Sequence, residues 1–127
     1  MKLKFDIRNL IASALSAFII VLIFTCIDFV AHSLGTTYAV PSYYFTNKII
    51  YGTILASLVL YFVNFKSSVA IAISVASIVS ILLQTNYYLL GYPLDFVVFF
   101  LAVHFIILYA ITYFFFEYLV VKTSKYG

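Results

Sequence analysis

In the stretch CIDFVAHSLG, residues 26–35, a carboxylate and an imidazole stand four positions apart in a run that is otherwise apolar. On a helix Asp28 and His32 share a face and lie roughly 6 Å apart along the axis, so their side chains can meet. A carboxylate that orients an imidazole also sets which ring nitrogen is free, which is the chemistry of a metal half-site or a proton relay. The same pair also reads as a helix-end contact, with a histidine near the negative end of the helix dipole reaching toward an interface. Both readings stay open on spacing alone, and Asp28 and His32 are the candidate metal ligands.

His104 is the second histidine, and counted from Leu94 it falls about 15 Å into a helix. At that depth in a bilayer an ionisable group is a candidate for moving a proton or holding a ligand. It is also able to act as glue by bonding Ser74, Ser77 or a backbone carbonyl across helices. The count places His32 too far above His104 for the two to share an ion. Lys48 and Asp95 are expected at the starts of their helices, at the depth of Asp28, where opposite charges neutralise one another. Gln84 and Asn86, near the end of a third helix, either extend that polar layer or cap the helix. Near the other ends, Glu117 is expected to pair with Lys122 or Lys66, and Asp6 among Lys2, Lys4 and Arg8 is expected to be solvated.

What must position these residues is a membrane-embedded scaffold. The chain has 127 residues, 66% of them hydrophobic and 9% charged, with a mean hydropathy of +1.18, well beyond an ordinary soluble domain. Its apolar residues fall into blocks of roughly 18 to 25, each about enough to cross a ~30 Å hydrocarbon core. The fold class expected is all-α, a polytopic antiparallel bundle of four transmembrane helices forming a single domain over 1–127. The helices are placed at about 9–32, 46–65, 68–90 and 94–121. The first is read as a retained helix rather than a signal peptide, because Leu10 to Ile27 exceeds the usual apolar core of such a peptide.

Small residues mark where these helices touch. Ala12, Ser13, Ser16 and Ala17 lie in the first, Gly52 and Ala56 in the second, and Ala72, Ala76 and Ser80 at spacings of four in the third, which is expected to be central. The turn NFKSS is short enough to fold the second and third helices into a hairpin. Gly35 and Gly91 suit helix C-termini, while Pro41 and Pro93 suit first turns. With no Trp, the twelve tyrosines are expected to form the aromatic belt at headgroup level, those of the 34–46 connector included.

Orientation follows from the cations. Lys2, Lys4, Arg8, Lys66, Lys122 and Lys125 fall on one side and Lys48 on the other, which predicts both termini in the cytoplasm of a prokaryotic cell membrane and the Asp28 layer outside. Cations scattered in this way do not form a nucleic-acid surface despite the net charge of +3. Cys26, the single cysteine, forms no intrachain disulfide and supports no paired-thiol redox chemistry. No phosphate loop, nucleophile elbow, HExxH or cysteine zinc spacing occurs, so no catalytic residue is assigned and no cofactor is implied. The expected partners are lipid and other membrane subunits or a second copy. The function expected first is a noncatalytic accessory subunit of a membrane complex. A small transporter or ion-binding protein comes second and a metal-dependent membrane enzyme third.

Overall fold

The computed structural model describes residues 5–36, 39–63 and 67–120. Four helices run in order: α1 (Ile7–His32), α2 (Ser42–Phe62), α3 (Ser68–Leu89) and α4 (Leu94–Phe114), the last passing into a π-helical stretch at Phe115–Val120. All four are long and apolar enough to cross a membrane. The architecture is the all-α, four-helix bundle that the hydropathy pattern demands.

Local chemistry sets the helix ends. The Asp6 carboxylate accepts from the backbone N–H groups of Arg8 and Asn9, at 3.0 and 3.4 Å, and so caps α1. The Ser67 hydroxyl does the same for α3 through Ala70. After α3, Gly91 takes φ +99°, which frees Tyr92 N–H to donate to Tyr87 C=O and Gly91 N–H to donate to Tyr88 C=O. That is a Schellman closure, and a left-handed residue is what it requires. Gly35 plays no such part: α1 ends at His32 with Ser33 as its cap, and Gly35 lies beyond it without positive φ.

Pro41 and Pro93 stand immediately before α2 and α4, where an extended residue without an N–H fits the helix entrance. For α2 this corrects the expected start. The helix begins at Ser42, not near Thr46, so Tyr43 and Tyr44 are helical and Lys48 sits on the second turn. Lys48 is accordingly not a border cation but fully buried.

The helices form a square. α1 packs most closely on α2 and α3 on α4, while α2–α3 and α1–α4 contacts close the ring. α3 is one side of that square rather than its centre. Each helix turns a stripe spaced by three or four residues inward: Ser13, Ala17, Val21, Phe24 and Asp28 on α1, and Tyr44, Lys48, Gly52 and Ala56 on α2. α3 contributes Ala72, Ala76, Ser80 and Gln84, and α4 contributes Phe100, His104, Leu108 and Thr112. The small residues serve close approach as expected. A Cβ on Gly52 would stand 3.1 Å from Cγ1 of Val21, so α1 lies directly against the α2 backbone. Outward, Phe18, Leu22, Ile54, Leu58, Ile81 and Ile106 are exposed. Apolar side chains outside and charged ones inside is the arrangement a bilayer favours and water does not.

A charged layer inside the bundle

Each helix sends one polar side chain to the same level: Asp28 from α1, Lys48 from α2, Gln84 from α3 and His104 from α4, all at most 2% exposed. The spacing of the inward stripes makes this possible, since each of the four occupies a core position of its own helix. Asp28 is the hub. Lys48 Nζ donates to its Oδ2, and His104 Nε2 lies 2.8 Å from its Oδ1. His32 Nε2 stands 3.4 Å from Oδ2, one turn along α1.

The remaining bonds set the state of the imidazole. Gln84 Nε2 is 2.7 Å from His104 Nδ1. With Nε2–H of His104 donating to the carboxylate, Nδ1 carries the lone pair and accepts from the Gln84 amide. The histidine is then neutral, and the Asp28 carboxylate and Lys48 ammonium cancel, so the layer has no net charge. Such balance is what a low-dielectric interior demands of ionised groups. Gln84 Oε1 is buried and has no hydrogen-bond partner among the described residues.

An aromatic cage closes around the ammonium. Lys48 Nζ also donates to Tyr44 Oη at 3.0 Å and lies 4.2 Å from the Tyr44 ring centroid, 5.3 Å from that of Phe24 and 5.8 Å from that of Tyr87. Ring faces attract a cation, and here they stand in for part of its lost hydration. His32 is held flat against Phe100, centroids 4.0 Å apart, and edge-on to Tyr44.

The structure thus brings Asp28, His32, Lys48, Gln84 and His104 together and leaves Asp95 and Asn86 apart. Asp95 is exposed on the first turn of α4, about 13 Å along the helix from His104, where it faces the positive end of the dipole. Asn86 lines a cavity instead. That cavity, about 500 Å³, lies between α2 and α3 beside the 90–93 turn and is bounded by Tyr43, Tyr44, Asn47, Asn86, Tyr87 and Tyr92 among others. Tyr44 and Tyr87 stack at 4.6 Å and form the partition between it and Lys48.

Two further expectations change. His32 and His104 are not held apart by depth: candidate ligand atoms of Asp28, His32 and His104 all lie within 4.8 Å of one another. The reason is stagger, since Phe96 and Phe100 of α4 flank His32, so α4 starts well beyond the end of α1. Nor does His104 use Ser74, whose hydroxyl bonds the Ala70 carbonyl within α3. Tyr44, Tyr87, Phe24 and Phe100 join the site beyond the residues expected from the sequence. The four-residue step from Lys48 back to Tyr44, and the three-residue step from Gln84 to Tyr87, are the signals that place them there. The cation partners expected for Glu117, Lys66 and Lys122, lie outside the described residues, as do Lys2, Lys4 and Lys125.

Fold and site together define a small membrane-type four-helix protein with an internally neutralised ionic layer. No protein family, curated protein or solved structure matches the chain.

Proposed function

We propose that this is a small cation-handling membrane protein in which an entering cation displaces the Lys48 ammonium from Asp28. The observation that carries this reading is the geometry of Asp28, a buried carboxylate shared by an ammonium and one imidazole, with a second imidazole one turn away. Lys48 acts as a tethered counter-cation, keeping the site neutral until another cation takes its place. Its hydrogen bond to Tyr44 leads toward the tyrosine-lined cavity, a route by which a cation arrives and the ammonium withdraws.

The other half of the bundle supports transport over static storage. Past the layer, the core contains the hydroxyls of Thr25, Ser80 and Thr112, buried and without partners among the described residues. A second cavity of about 220 Å³ opens near Ser13 and Phe116 at the far end. Polar points between two end cavities are what a hopping cation or its waters require. The excess of Lys and Arg on the far side argues that the tyrosine cavity faces outward from a prokaryotic cytoplasmic membrane.

Purified protein in liposomes, loaded with proton-, metal- and alkali-ion-sensitive dyes in separate preparations, tests this. Flux of at least one cation that Asp28→Asn abolishes is expected. A wild-type protein that moves none of them and binds none overturns the reading. The accessory-subunit reading draws on exposed aromatic side chains, Phe99 and Phe114 on α4 and Tyr118 in the π-helical stretch. Foreign subunits copurifying at fixed ratio in mild detergent would favour it.

A further inference from the structure

Resting on the cation-handling reading above, we infer that the ion is a divalent transition metal held by Asp28, His32 and His104, with Gln84 choosing the ring tautomer that lets His104 bind it. Asp28 and His32 alone make half a site. His104 supplies the missing ligand from the facing helix.

The separations approach those of a metal centre, the three ligand atoms lying within 4.8 Å of one another. Ligand atoms about 2.1 Å from a tetrahedral ion stand about 3.4 Å from one another. His104 Nε2 and His32 Nε2 already lie 2.8 and 3.4 Å from the two Asp28 oxygens. Lys48 Nζ, bonded to Asp28 and 3.2 Å from His104 Nε2, stands where the ion would bind. Two imidazoles with one carboxylate suit borderline ions such as Zn²⁺, Co²⁺ or Cu²⁺ and disfavour the alkali and alkaline-earth ions, which seek oxygen.

Gln84 supplies the independent observation. A metal at His104 Nε2 needs that nitrogen's lone pair, which moves the proton to Nδ1. Rotating the Gln84 side-chain amide by half a turn brings its Oε1 to Nδ1, where it accepts that proton's hydrogen bond. Oε1 is buried and has no hydrogen-bond partner among the described residues while Nε2 holds Nδ1. Outer-shell partners of this kind fix the tautomer of ligating histidines, and their loss typically weakens metal binding roughly 10–100-fold. With a divalent ion on Asp28 the layer carries excess positive charge, so Lys48 is driven out past Tyr44 toward the tyrosine cavity.

The test uses Co²⁺ and Cu²⁺ with the full chain in lipid nanodiscs. One Co²⁺ per chain with visible ligand-field absorption is expected, lost in Asp28→Asn and His104→Gln, weakened about 10-fold or more in Gln84→Leu, and tightened in Lys48→Met. Pulsed electron paramagnetic resonance of Cu²⁺ on the unsubstituted chain is expected to detect the remote nitrogens of two imidazoles, a result independent of whether any variant folds. Absence of Co²⁺ binding to both the unsubstituted and Lys48→Met chains, or a Cu²⁺ spectrum without imidazole coupling, overturns the metal assignment. Monovalent-cation or proton flux through such a chain leaves the cation reading standing while the metal falls. Metal held without any flux keeps the site and removes the transport.

Discussion

Lys48 and His104 share one carboxylate: the ammonium is bonded to Oδ2 of Asp28, the imidazole Nε2 lies 2.8 Å from Oδ1, and 3.2 Å separates the two nitrogens. Three helices are thereby tied through one residue of α1, and Gln84 ties the fourth. A hub of this kind makes the members interdependent in stability.

Removing one member therefore costs more than removing a pair. Asp28→Asn and Lys48→Met each leave a buried charge without its counter-ion, and each is expected to destabilise the bundle by about 3–5 kcal/mol. The double variant is expected to lose less than the sum of the two, because both charges are gone together. Thermal unfolding in detergent across the four chains measures this, with Asp95→Asn as a control expected to cost no more than the helix-dipole contribution of about 0.3–1 kcal/mol. Strict additivity would show that the two groups do not interact.

Close approach of α1 and α2 depends on Gly52. Gly52→Leu is expected to destabilise by about 1–3 kcal/mol through overpacking against Val21, and Ala76→Leu to do the same on α3, where the native methyl is fully buried. Val21→Ala opens the space that Gly52 borders, so it is expected to relieve Gly52→Ala in particular. Phe114→Leu, on the exposed face of α4, should change little. Equal stability of Gly52→Leu and wild type would mean that this seam is not packed as described.

The sequence shows the four helices because hydropathy is additive along the chain, and it shows the seams because Gly52, Ala56, Ala72 and Ala76 repeat at the helical period. It also shows that Asp28 and His32 share a face. Hidden was the depth at which residues from different helices meet. Counting from helix ends assumes that the ends are level, and the stagger of α4 against α1 places His104 beside Asp28 despite the difference in count. Lys48 lies deeper than its sequence position suggests for a related reason: Pro41 starts α2 four residues before its apolar run, and that moves the lysine from the border into the core. Asp95, equally charged, stays at the surface because it stands on the first turn after Pro93.

The proposed topology rests on the cation excess and is open to a labelling test. In a Cys26→Ser background, a cysteine replacing Gly35, exposed beyond α1, is expected to react with an impermeant thiol reagent in intact cells, and one replacing Lys66 is expected to be protected. Labelling of the Lys66 position from outside reverses the proposed orientation and puts the tyrosine cavity on the cytoplasmic side.

The hydroxyls below the ionic layer separate a dry core from a wetted path. Ser80 and Thr112 are fully buried, with no partner among the described residues for their side-chain oxygens. In a dry core, Thr112→Val and Ser80→Ala remove unsatisfied polar atoms and are expected to leave stability unchanged or raise it by up to about 1 kcal/mol. Where internal water bonds these hydroxyls, the same changes strip the water of partners and lower stability by about 1–2 kcal/mol. Transport through this half of the bundle requires the second outcome, together with a flux in liposomes that falls several-fold in Thr112→Val while metal or cation binding at Asp28 stays intact. Unchanged flux in a stabilised Thr112→Val/Ser80→Ala protein would route the ion elsewhere. The lower hydroxyls would then contribute nothing beyond packing, and the ion would enter and leave at the outer end, where the tyrosine cavity and a cavity of about 420 Å³ lined by His32 both lie.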